Sequence, residues 1–187
     1  MNNDREEQKK RILAKINGSG KQACFPIPDE ETVLASIDKK QGFLQIRVLL
    51  HRKGNAVYVI LATYSLIDGE WVVQRWIGIY DRELATVQNA LMDGFEMASA
   101  MDEPGAERVD LPHCLCALPR KSGTKELRVT LEEYDKGKNL KLRAYQKEGD
   151  TWKWGDEWFF LFVNDLGEIL PALTQAEELI RSANPSA

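Results

Sequence analysis

The sequence predicts an α+β chain of two ββββα repeats, with antiparallel sheets packed as an intramolecular pseudo-dimer and short N-terminal helices. Three observations lead there. Arg47, Val48, Leu50, Leu61, Tyr64 and Trp71 recur 81 positions later as Arg128, Val129, Leu131, Leu142, Tyr145 and Trp152, six identities in the 25 positions 47–71. Average residue usage gives roughly one or two by chance, and an internal repeat governs the whole architecture. Each copy carries runs rich in β-branched and aromatic residues, separated by Gly-containing turns. Each copy then closes on an amphipathic helical run.

Taken in order, residues 1–41 read as a helical extension. DREEQKKRILAKI (4–16) suits a short helix with Asp4 as N-cap and an acidic first turn. Asn17-Gly18-Ser19-Gly20 ends it, and Phe25-Pro26-Ile27-Pro28 cannot be helical because prolines remove donors and favour extended backbone. Asp29 can cap a second helix from Glu30 to Lys39, with Val33, Leu34 and Ile37 on one side.

The first repeat is set at 42–101. Strands at 44–51, 56–65 and 70–80 are joined by turns at Lys53-Gly54-Asn55 and Asp68-Gly69, and the third strand is expected to bend at Gln74 or Gly78. Asp81 then caps a helix from Arg82 to about Met101, whose apolar positions Leu84, Val87, Leu91, Phe95 and Ala98 recur at helical steps. Residues 102–124 hold three prolines and two glycines and read as a linker, in which Leu115 to Leu118 form either a brief strand or an apolar anchor. The second repeat, 125–187, has strands near 126–133, 138–147 and 151–162, with turns at Asp135-Lys136-Gly137 and Glu148-Gly149-Asp150. Its terminal helix buries Leu166, Ile169, Leu170, Leu173, Leu179 and Ile180, with a kink or a start at Pro171.

Composition narrows the function classes. With 43% apolar and 29% charged residues the chain reads as an ordinary globular protein. No apolar run approaches the roughly 18 residues of a membrane span. The charged N-terminus lacks the apolar core of a secretory signal, and three cysteines do not make a disulfide framework, so a cytoplasmic setting is expected. A net charge of −4 is not the footprint of a protein held to nucleic acid by bulk positive charge. Any such binding has to come from a local face.

Strand alternation locates that face. In the second repeat Leu127, Val129, Leu131, Leu140, Leu142 and Ala144 point to the helix, which leaves Arg128, Thr130, Lys141, Arg143 and Tyr145 on the other side. Cations meeting phosphates beside a ring that stacks on a base suit a single strand. Rows of Lys and Arg are equally ordinary on a solvated sheet, with Glu126, Glu132, Glu133, Asp156 and Glu157 nearby. Trp152 and Trp154 share one side of the third strand, with Lys153 on the other. In the first repeat the equivalents of Lys141, Arg143 and Tyr145 are Ile60, Ala62 and Tyr64. That face needs a cover, for which the N-terminal helices and another copy of the chain are candidates.

At GKNLKLRAYQKEGDTW, Gly137 to Trp152, the sequence resembles the family of the transcriptional positive cofactor four. It is also similar to the wider Whirly and Pur-alpha group of ββββα single-strand binders. Gly137-Lys138 in the first turn, Leu140, Leu142, Arg143, Tyr145 and the turn at Glu148-Gly149 carry the likeness, followed by an aromatic-rich strand and a helix. The resemblance implies a curved sheet that binds single-stranded DNA or RNA and two units joined through their helices, here within one chain. It implies a binding role for Lys138, Lys141 and Arg143. The family's basic stretch is replaced by Gly155-Asp156-Glu157-Trp158.

His113-Cys114-Leu115-Cys116 is the one metal-like cluster, and its spacing and ligand number do not suit zinc. No cofactor loop stands out, and neither a cofactor nor a metal is expected. The expected function is therefore that of a non-enzymatic single-stranded nucleic-acid-binding protein, monomeric or homodimeric, with transcription as the process the resemblance implies. The residues expected to bind are Arg128, Lys138, Lys141, Arg143, Tyr145 and Lys153. The alternative is a protein-interaction or scaffold module that kept the fold without that affinity.

Overall fold

A computed structural model describes residues 25–105, 109–134 and 137–183. The helix expected at 4–16, the turn after it, Cys24 and the Asp135-Lys136 part of a hairpin turn lie outside them. Two four-stranded antiparallel sheets, each followed by a helix, make an α+β chain of two ββββα units. The first sheet runs in sequence order through β1 (Glu30–Lys39), β2 (Leu44–Lys53), β3 (Ala56–Ile67) and β4 (Glu70–Tyr80), and α1 (Asp81–Ala100) follows. The second runs through β5 (His113–Arg120), β6 (Lys125–Tyr134), β7 (Gly137–Glu148) and β8 (Thr151–Phe162), then α2 (Leu166–Ala183).

The helix expected over Glu30–Lys39 is instead a strand, paired with β2 through Thr32–Leu50 and Ile37–Ile46. The register shifts between Val33 and Ala35, a β-bulge. The extra residue turns Leu34, Ala35 and Ile37 to the core while Val33 stays exposed. A bulge breaks the alternation of two, and the surviving step of three imitates a helical face. The same device occurs in the segment assigned to the linker. Residues 113–120 form a full strand with a register shift between Cys114 and Cys116, and Leu115 packs against the core. Thus the first strand of each sheet comes from residues that lack a clean period.

The likeness of the units extends to backbone detail. Lys40-Gln41-Gly42 and Lys121-Ser122-Gly123 make the same left-handed turn between first and second strands. The last hairpin of each sheet also carries a bulge, at Gln74 in β4 and around Gly155 and Asp156 in β8. One residue more in β8 lengthens the spacing between equivalents to 82, so that Trp76 matches Trp158 and Tyr80 matches Phe162. A Cβ on Gly155 would sit 2.9 Å from the Ala144 carbonyl oxygen, so only glycine fits that bulge.

One core joins the units. Val48, Leu61 and Ile77 of the first sheet meet Val129, Leu142 and Phe159 of the second in a single buried cluster with both helices. The helices cross over. α1 lies on β5 and β6 of the second sheet, and α2 on β1 and β2 of the first. α1 begins at Asp81 itself, whose carboxylate accepts the Arg82 N–H at 2.7 Å, while Glu83 accepts the Tyr80 N–H at 3.0 Å. α2 starts at Leu166 and runs through Pro171. Of the expected apolar positions of α1, Phe95 is exposed; on α2, Leu179 is exposed and Leu170 half-buried.

Candidate nucleic-acid interface

β-strand pairing brings Arg128, Lys141, Arg143 and Tyr145 to the outward face of the second sheet, where Arg128 lies opposite Arg143 and Tyr145 opposite Glu126. β8 adds Trp154 opposite Tyr145, Trp158 opposite Arg143 and Phe160 opposite Lys141. Lys138 and Lys153, the other two residues of the expected site, do not join them. Lys138 pairs with Asp102 and lines a cleft with Phe95 and Ala98, so it belongs to the helix side. Lys153 lies opposite Gln146, on the side away from Trp152 and Trp154, with Glu148 2.8 Å from its Nζ. One-residue alternation suffices to separate them.

Guanidinium–aromatic stacks dominate the face. Arg128 lies 4.3 Å from the Tyr145 ring centre and 5.7 Å from that of Trp152. Arg143 lies 4.6 Å from Trp154 and 5.4 Å from Trp158. Trp158 and Phe160 stack at 6.0 Å with a 21° tilt. Trp154 remains 75% exposed, which leaves it open to a planar ligand. The first sheet repeats one of these clusters, with Arg47 4.2 Å from Tyr64 and 5.3 Å from Trp71.

Carboxylates temper the charge. Arg128 pairs with Glu126, and Lys141 with Glu132 at 2.9 Å. Burial opposes the charge on Glu132, but hydrogen bonds from Tyr134, Lys141 and Thr130 outweigh it and hold its carboxyl below the ordinary value. Among the described residues no carboxylate pairs with Arg143, whose buried Nε has no hydrogen-bond partner.

Sequence reasoning missed Arg75. This β4 residue of the first unit lies 4.0 Å from the Trp158 ring centre and 5.9 Å from that of Phe160, because β4 and β8 lie against each other. No carboxylate among the described residues pairs with it, and its side chain stays exposed. Its place between Gln74 and Trp76 marks a cation in an aromatic strand, but gives no indication that it reaches the other unit.

The first sheet's outward face is apolar, as its sequence implies. Leu49, Ile60, Ala62 and Tyr64 are buried there, and Phe25 is the described residue ahead of β1 that packs on them, edge-on to His51, Tyr64 and Trp76. His51 is wholly buried, its Nε2 2.8 Å from Glu31.

The fold and face together define a two-unit α+β protein with one sheet covered and one presenting cations and rings. No protein-family model and no curated protein matches the chain. A solved structure, the crystal structure of WHY1 from Arabidopsis thaliana, aligns over 87% of this chain and 97% of its own at 11% identity and a TM-score of 0.37.

Proposed function

We propose that the chain binds single-stranded nucleic acid, without catalysis, over the outward face of the second sheet. The observation that carries this reading is the array of Arg128, Arg143, Trp154 and Trp158, in which guanidinium groups and rings alternate on a half-exposed face. Bases stack on such rings and phosphates meet such cations, with base stacking worth about 1–3 kcal/mol per base. Duplex DNA keeps its bases stacked inside and gains little from rings. The resemblance to single-strand binders at Gly137–Trp152 supports the same reading and makes a role in transcription the first to examine.

Fluorescence anisotropy with a labelled single-stranded oligonucleotide tests it. Binding is expected at low salt, weakening as salt rises because phosphate contacts release counterions. Arg143→Glu and Lys141→Glu should each weaken it at least ~10-fold, the scale of a lost charge contact. Absence of binding at low salt, or indifference to both variants, overturns the proposal. The pairing of Arg128 and Lys141 with Glu126 and Glu132 favours the second reading, a protein-interaction module. A folded chain that ignores oligonucleotides at low salt is its expected signature.

A further inference from the structure

The two units share one topology, and each outward face carries an arginine on a tyrosine–tryptophan pair, Arg47 in the first and Arg128 in the second, but the second face adds Arg143 beside Trp158. Trp158 has Arg143 from its own sheet 5.4 Å away and Arg75 from the other unit 4.0 Å away. At the matching place in the first unit, Trp76 has Ala62 where the second has Arg143, and the position of Arg75 is taken by Glu157. Phe25 packs edge-on to Trp76 at 5.9 Å. One arginine from each unit therefore meets at a single ring, Trp158.

Resting on the single-strand reading above, we propose that each chain holds one strand-binding site, completed across the unit boundary by Arg75. A phosphate is met by the Arg75 and Arg143 guanidinium groups that share the Trp158 ring, and a base stacks on Trp154 beyond Arg143. Two uncompensated guanidinium groups sharing one ring repel each other, and an anion between them removes that repulsion. The first unit contributes a cation to this site.

The test is a titration of the wild-type chain with an oligonucleotide of about eight nucleotides, a length within single-strand site sizes, combined with anisotropy on Arg75→Gln and Arg143→Gln. One oligonucleotide per chain is expected. Each variant should weaken binding several-fold and reduce the slope of log affinity against log salt by about 0.7, the change for one single-strand phosphate contact. Saturation at two oligonucleotides per chain overturns the proposal without needing a variant. So does a loss in Arg143→Gln with none in Arg75→Gln, an outcome that leaves the broader single-strand reading intact. No binding by the wild type refutes both together.

Discussion

Arg120 and Glu83 form the most buried charge pair among the described residues, and they connect the units. Arg120 ends β5, and its Nε donates to Glu83 near the start of α1 at 2.8 Å while Nη2 donates to the Gly78 carbonyl at 2.6 Å. The equivalent cation in the first unit, Lys39, pairs with Asp165 near the start of α2. Each helix start is thus tied to the first strand of the opposite unit. A buried charge that loses its partner is far costlier than the pair is stabilising. Glu83→Ala should therefore lower stability by about 3–5 kcal/mol in urea titrations. The double variant Glu83→Gln, Arg120→Met should recover most of that loss. A single variant within ~0.5 kcal/mol of wild type would show that the pair is solvated in solution.

The crossing of the helices depends on close approach at one glycine of α1. A Cβ on Gly94 would meet Leu140 Cδ2 at 2.4 Å and Leu115 Cδ1 at 2.7 Å, both on the second sheet. Leu140 is fully buried, so it has little room to move aside. Overpacking of this kind costs about 1–3 kcal/mol, against which the gain in helix propensity over glycine is under about 1 kcal/mol. Gly94→Val should thus destabilise by ~2 kcal/mol in thermal or urea melts. The neighbouring exposed Asp93→Ala should stay within about 0.5 kcal/mol. Equal melting of the two variants would mean that α1 does not sit as tightly on β5 and β7.

Across the whole molecule, each unit's inner sheet face is covered by the other unit's helix, and one buried cluster runs through both. The main core is shared between the units, so the chain should unfold as one. Urea curves followed by tryptophan fluorescence and by far-ultraviolet circular dichroism should coincide, the sign of a two-state transition. Two separated transitions would show that the units are independent domains. The outward faces differ instead of matching, and the proposed function uses that difference. The first is largely closed with apolar side chains around one arginine, Arg47, and the second is open with several arginines and rings.

Much of this is legible in the sequence. The repeat, six of the eight strands, two of the three hairpin turns of the first sheet and both helices follow from local period and turn chemistry, which act over a few residues. Arg128, Lys141, Arg143 and Tyr145 share a face because strand alternation is a local rule. Three things needed the folded chain. β1 and β5 carry bulges, and a bulge is stabilised by the partner strand and core, not by its own residues. Lys138, which alternation already sets on the side of Leu140, meets Asp102 just past the end of α1, a partner that only folding brings to it. Arg75 joins the row from the other unit because packing sets β4 against β8. The sequence alone determined the two repeated units and the chemistry on their strands. Only tertiary packing decided which helix covers which sheet, and which arginines meet at Trp158, since those contacts join residues distant in sequence through a shared core.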